Sequence, residues 1–266
     1  MKILHVWDQA GVGCILAKYQ KQLGYETQII KRAGFDKFGI FSYYKGKEFK
    51  SFIGTQFLRT AEKFAKNYDI IHIHDLFQMI PRIKKKYNNK KIVLHYHGSK
   101  LRNTPHEKRK NCEKQANLIL VSTPDLTDFV NGEYLPNPVD TNLFSQRKVL
   151  HDGKALCFMT QSETSETVEK LLKSQGITLE YEIISRKERP RQYKEMPKFL
   201  SNYEYYIDLK FDELGNNRKF FSMTGLQALS LGLKVLDYNF EIVKNLPDIH
   251  KPENVVKQLE KKYHEI

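Results

Sequence analysis

Residues 68–75 read YDIIHIHD, and residues 91–99 read KIVLHYHGS. In each, a run of aliphatic residues passes into polar ones at its C-terminal end, as a buried strand of a parallel sheet does where it reaches the sheet edge. His72 alternates with His74, and His95 with His97, so each pair shares one face of its strand. A helix with Phe57, Leu58, Ala61, Phe64 and Ala65 on one side precedes the first stretch. A basic helix over 80–87, a charged helix over 107–115 and a strand over 117–122 surround the second. Strands alternating with helices specify a parallel sheet.

The same alternation extends to both ends of the chain. Lys2 to Trp7 reads as a strand that breaks at Ala10-Gly11-Val12-Gly13, after which Ile15, Leu16, Tyr19 and Leu23 recur at helical spacing up to Gly24. Residues 26–30 restore strand character, and a tract over 35–52 mixes aromatics with lysine without clear periodicity. PNPVD at 136–140 and the polar stretch 145–154 interrupt the rhythm and mark a domain boundary. A second series follows, with strands over 155–160, 180–185, 205–209 and 234–238. Its helices lie over 165–174, 192–200 and 222–231, and a last helix starts at Pro252. The expected domains are 1–147 and 148–251, with 252–266 as a C-terminal helix. Two doubly wound domains facing each other would bind ligand in a cleft at their strand C-termini.

With 266 residues, 40% hydrophobic and 28% charged, the chain is neither a coil, a collagen nor a disordered tail. Lys and Arg number 44 against 31 Asp and Glu, a net +13 that favours phosphates, anionic headgroups or nucleic acid as partners. Cys14, Cys112 and Cys157 form no CxxC, which reads as reduced thiols in a cytoplasmic protein. No window approaches the ~20 apolar residues of a membrane span, so the expectation is a soluble or membrane-peripheral protein.

Several positions at strand ends are candidates for chemistry. Gly11 and Gly13 can bring backbone N–H groups to a phosphate at a helix start, or can simply form a tight turn. The four histidines suggest metal, but no carboxylate or cysteine completes a ligand set, and the reading is that no metal binds. His97, followed by Gly98, can reach a ligand as donor or acceptor. Ser222 and Thr224 open a helix after Arg218 and Lys219, an arrangement that suits a diphosphate and equally an ordinary serine cap. Lys84, Lys85, Lys86, Lys90 and Lys91 form either a solvated face or a basic patch for a membrane or nucleic acid. Phe35, Phe38, Phe41, Tyr43 and Tyr44 can dip into an interface or fold under as core.

YDIIHIHD, LHYHGS at 94–99, ANLILVS at 116–122 and PNPVD, in that order and spacing, resemble the N-terminal half of family-4 (group 1) glycosyltransferases. MPKFLSNYEYYIDL at 196–209 and LQALSLGLKVLDY at 226–238 resemble the second domain of that family. The resemblance implies an α/β enzyme of GT-B fold, two Rossmann-like doubly wound parallel-sheet domains facing across a cleft. It implies transfer of a sugar from a nucleotide-diphosphate donor with retention of configuration, no metal and no cofactor beyond that co-substrate. It places His97 and Gly98 on the family's His-Gly position against the donor sugar, Gly11 and Gly13 in its first glycine loop, and Ser222 and Thr224 at the helix start facing the diphosphate.

The chain also departs from that family. Two glutamates that hold donor sugar and ribose are replaced by Lys219 and Gln227, of which only Gln227 can accept a hydrogen bond. An Arg-Lys pair is replaced by Gln161-Ser162-Glu163, leaving Arg186, Lys187, Lys210, Arg218 and Lys219 as cations for phosphate. The second domain lacks a strand-helix unit between Arg186 and Tyr193. The expectation is a cytoplasmic, membrane-peripheral transferase acting on a glycan or lipid-linked acceptor. The alternative is a noncatalytic GT-B-like subunit that binds a partner transferase or glycan. No helix-turn-helix, zinc or RNP-like signature points to nucleic acid.

Overall fold

The computed structural model describes residues 1–8, 10–51, 53–146, 153–159, 165–211 and 217–266. The chain forms two compact units, residues 1–138 with 252–266 and residues 139–251. The division thus falls before the 147/148 boundary expected from the proline and polar residues. The terminal helix, Pro252–Glu265, packs in the first unit.

The first unit is built on strands β1 (Lys2–Val6), β2 (Glu26–Arg32), β3 (Lys47–Phe49), β4 (Ile70–His74), β5 (Lys91–Tyr96), β6 (Leu118–Val121) and β7 (Glu133–Tyr134). They lie in the order β3-β2-β1-β4-β5-β6-β7 with every pairing parallel, the doubly wound order that reverses direction beside β1. One face is apolar: Leu4, Val6, Ile71, Ile73, Ile92, Leu94 and Tyr96 pack with Phe57, Ala61 and Ala65 of the helix Gly54–Ala65. Pairing aligns His5 with His72 and His74 with His95, which sets the histidines on the opposite face. Helices Val12–Gln22 and Pro252–Glu265 contact each other and supply Gln20 and Tyr263 to that histidine layer.

The tract over 35–52, which shows no clear periodicity in sequence, contains a short helix, Ile40–Tyr43, and β3. These elements are too short for periodicity to register. Phe41 is fully buried with Cys14, Ala17 and Ile29, whereas Phe35 and Tyr43 are 49% and 40% exposed. The aromatics therefore divide between core and surface.

The second unit contains β8 (Lys154–Met159), β9 (Glu180–Ser185), β10 (Tyr205–Ile207), β11 (Lys234–Leu236) and β12 (Ile242–Val243), ordered β12-β11-β10-β8-β9. All pairings are parallel except that of β12, an antiparallel edge strand of two residues that pattern reading misses. Ala155, Cys157, Ile207 and Leu236 form its core with Val168 and Leu172 of the helix Ser165–Ser174. Among the described residues no helix is long and apolar enough to cross a membrane.

Candidate functional site

At the C-terminal edge of the first sheet the strands deliver polar groups in a fixed arrangement. His97, half-buried, follows β5, and its backbone N–H donates to Asp75 Oδ1 at 3.0 Å. Asp75 follows β4 with φ +61° and is 4% exposed, and burial pushes its carboxyl up to about 7. Gly98 adopts φ +109°, a conformation that a side chain would strain, and a Cβ there would lie 2.6 Å from Arg102 Nη1.

Behind His97 the histidines form two rows. In one, His5 Nε2 bonds Gln20 Oε1 at 2.7 Å, His5 Nδ1 bonds His74 Nε2 at 3.1 Å, and His74 Nδ1 bonds His97 Nε2 at 2.8 Å. In the other, Tyr263 Oη bonds His72 Nδ1 at 2.6 Å and His72 Nε2 bonds His95 Nδ1 at 3.2 Å. The rows lie against each other, His72 and His74 with ring centroids 4.6 Å apart and planes 7° apart. His5, His72, His74 and His95 are fully buried. Burial lowers the pKa of His5 to about 4 and of His97 to about 3, and holds His72, His74 and His95 well below the usual imidazole range. The sequence argument against metal is that no carboxylate or cysteine completes a ligand set, and the structure instead adds a third histidine, His5 of β1. His5, His72 and His74, and likewise His74, His95 and His97, have ligand nitrogens within 4.8 Å of one another. Those nitrogens are largely committed to bonding one another, which competes with coordination.

The glycine loop sits against this array. Gly11 has φ +87°, and a Cβ on Gly13 would lie 2.9 Å from His74 Nε2 and 3.1 Å from Asp8 Oδ1. Contrary to the expectation of amides free for phosphate, Gly13 N–H donates to Asp8 Oδ1 at 2.8 Å and Cys14 N–H to the same oxygen at 3.4 Å. An internal carboxylate, 3% exposed, thus meets the start of the helix Val12–Gln22.

The second unit repeats this arrangement. Ser222 caps the helix Met223–Leu231, its Oγ accepting from Gly225 N–H at 3.1 Å. Both its N–H and its hydroxyl donate to Asp208, at 2.8 and 2.5 Å. The cap reading of Ser222 is therefore the observed one, and its hydroxyl is held by a carboxylate 1% exposed. Thr224 and Gln227 lie in the same helix, 7% and 6% exposed.

The cations gather at the same end of the second sheet. Arg186 follows β9, with its guanidinium 6.0 Å from the Phe158 ring centroid, and its neighbour Lys187 is exposed. Lys210, beyond β10, is 8% exposed. Arg218 N–H donates to Lys210 O at 2.6 Å, Arg218 Nε donates to Phe211 O at 3.0 Å, and Lys219 is exposed. Gln161-Ser162-Glu163 lies outside the described residues.

In the basic helix of the first unit, Lys84 Nζ is tied to Lys90 O at 3.0 Å and Lys86 Nζ to Glu62 at 3.0 Å. Nearby, Phe77, Lys100, Asn103, Thr104 and Lys108 line an open hollow of about 390 Å³. Asp8, Asp75, Asp208, His5, Gln20 and Tyr263 all belong to these arrangements and were absent from the sequence-level candidates. Of these, His5, a polar residue inside an apolar strand, and Asp75, a polar residue at a strand end, carried a signal in the sequence.

No protein-family profile matches the sequence, and no curated protein matches it. Among solved structures, the chain resembles alpha-glucosyltransferase in complex with UDP and a 13-mer DNA containing an HMU base, with TM-score 0.61 and 9% identity over 98% of this chain and 90% of the other. A second structure of that complex gives TM-score 0.60 and 11% identity, covering 88% and 79% of the two chains. Alpha-glucosyltransferase with UDP alone gives 0.59 and 10%, covering 88% and 80%. The fold defined by this likeness and by the two sheets is GT-B.

Proposed function

We propose that the protein is a glycosyltransferase of the family-4 type, moving a hexose from a nucleotide-diphosphate sugar to a glycan or lipid-linked acceptor with retention of configuration. The observation that carries this reading is His97, an imidazole at the end of β5 followed by Gly98 at φ +109° and backed by two rows of buried histidine. In this reading His97 and Gly98 meet the donor sugar, and the Gly11–Gly13 loop lies close by. Gln227 accepts a ribose hydroxyl. Arg186, Lys210, Arg218 and Lys219, with the start of the helix Met223–Leu231, neutralise the diphosphate.

As the glycosidic bond breaks, positive charge grows on the sugar ring and negative charge on the departing phosphate, and preorganised cations and N–H groups stabilise that separation. The departing phosphate takes the acceptor's proton, so the reaction needs neither a metal nor a carboxylate nucleophile. Asp208 at the helix start adds negative charge where phosphate would sit, so the cations must outweigh it. With a net charge of +13, the protein suits a phosphate-bearing acceptor at the cytoplasmic face of an anionic membrane.

A second reading keeps the chemistry and changes the acceptor to DNA. It is favoured by the same +13 and by the likeness to alpha-glucosyltransferases solved with DNA.

The test is a thermal-shift and hydrolysis screen against UDP-, GDP-, ADP- and dTDP-sugars. A ligand at one hundred times its Kd should raise stability by about 2.7 kcal/mol. A selective shift with slow sugar release is expected. No shift with any nucleotide would overturn the transferase reading in favour of a noncatalytic glycan- or partner-binding subunit. Transfer assays with lipid-linked glycan and with hydroxymethylated duplex DNA then separate the two acceptors.

A further inference from the structure

One amide at the closed end of the array gives every bond in it a direction. Gln20 Oε1 carries lone pairs only, so at 2.7 Å it accepts from His5 Nε2–H. A neutral imidazole has one N–H, so His5 Nδ1 is bare and accepts from His74 Nε2–H at 3.1 Å. By the same step His74 Nδ1 accepts from His97 Nε2–H at 2.8 Å, and His97 is left with Nδ1 unprotonated.

The amide nitrogen of Gln20 starts the second row. It donates to Tyr263 Oη at 3.4 Å, and the Tyr263 hydroxyl donates to His72 Nδ1 at 2.6 Å. His72 Nε2–H then donates to His95 Nδ1 at 3.2 Å, and His95 ends the row with Nε2–H. Both end atoms, His97 Nδ1 and His95 Nε2, are buried without a protein partner. The two rings lie 4.3 Å apart between centroids. Buried polar atoms are rarely left unmatched, so a lone pair and an N–H ending two adjacent rows point to a ligand.

We propose that Gln20 is a positioning residue that fixes the tautomer of His97 through His5 and His74, so that His97 meets its ligand as an acceptor at Nδ1. The ligand group this selects is a hydroxyl, which donates to that lone pair. An ionised phosphate oxygen has no proton to offer that lone pair and could meet only the neighbouring His95 Nε2–H. Gln20 is 1% exposed on the helix Val12–Gln22 and bonds the far end of the row, so it acts only through the two intervening imidazoles. The choice of a sugar hydroxyl rests on the transferase reading, whereas the polarity of the rows does not.

The experiment is long-range 1H–15N correlation NMR of the full chain, labelled at the histidine nitrogens and recorded without nucleotide. The expected spectrum has His97 as a single tautomer, with a pyridine-type Nδ1 and a protonated Nε2. Gln20→Leu, folded by circular dichroism, should lose that single state, while Tyr263→Phe should release His95 and leave His97 unchanged. A protonated Nδ1 on ligand-free wild-type His97, as the reversed Gln20 amide would impose, overturns the proposal. So does an unaltered His97 in folded Gln20→Leu, or stoichiometric binding of added Zn²⁺ that shifts all five histidines, since coordination needs the lone pairs the rows consume. If Gln20→Leu does not fold, the wild-type spectrum decides alone. Because no nucleotide is present, failure here is distinct from failure in the thermal-shift screen.

Discussion

His97 combines two duties that a substitution can separate. In His97→Ala the lost imidazole leaves His74 Nδ1 without its donor, a loss on the order of 1–3 kcal/mol that the first unit should survive. Sugar transfer, if His97 meets the donor, should fall at least a hundredfold. Calorimetry beside a transfer assay reads both, and wild-type turnover in the variant would remove His97 from the site. Gly225 makes a different case, because a Cβ there would lie 2.0 Å from Asp208 Oδ2. Gly225→Ala must displace the carboxylate that holds Ser222, and a loss of about 1–3 kcal/mol is expected in the second unit, read by denaturant unfolding. At this scale the sequence is only partly readable. His97 and Ser222 are visible because polar residues at a strand end or helix start carry a local signal. Asp8 and Asp208 are not, since their roles arise from folding back onto helices that follow them in the chain.

Among the elements, the helix Pro252–Glu265 has the widest consequences. Its apolar side, Val255, Val256, Leu259 and Tyr263, is buried, and Tyr25 and Glu133 reach it through Glu260 and Lys262. Its existence is legible from the periodic apolar residues after Pro252, but its attachment is not, because periodicity reports a buried face without naming what buries it. Tyr263→Phe removes one hydroxyl and leaves His72 Nδ1 unmatched, for which a loss of about 1–3 kcal/mol is expected. The change should appear in the thermal midpoint of the first unit alone. Equal loss in both units would mean that the helix does not belong to the first. The antiparallel β12 and the short β3 escape sequence reading for a simpler reason: two or three residues give no period to measure.

For the molecule as a whole, the alternating strands and helices were legible and specify the doubly wound sheets. What the pattern left open is that both histidine pairs and His5 share a single face of the first sheet. That face makes stability depend on pH. Folded, His5 titrates at about 4 and His97 at about 3, with the other three also held low, whereas in the unfolded chain each takes a proton near about 6.5. Below about 6.5 the unfolded chain binds more protons, so each histidine removes about 1.4 kcal/mol of stability per pH unit of acidification until its folded pKa is reached. Asp75, raised to about 7, and Asp8, also raised, act oppositely, favouring the folded state as pH falls. Five groups outweigh two. The first unit should therefore lose stability as pH falls below about 6.5, with a thermal midpoint lower at pH 5 than at pH 7. A thermal midpoint that stays level from pH 7 to pH 5 would contradict the depressed imidazoles.

The return of residues 252–266 to the first unit also dictates an order of events during synthesis. A ribosome releases this chain from the N-terminus, and domains usually fold as they emerge. Here the first sheet can assemble early with the helix Val12–Gln22 against its histidine face, but His72 waits for Tyr263, which follows the whole second unit in the chain. The sheet that precedes the second unit in the chain is thus completed after it, and in the interval His72 lacks the hydroxyl that holds it in the folded protein.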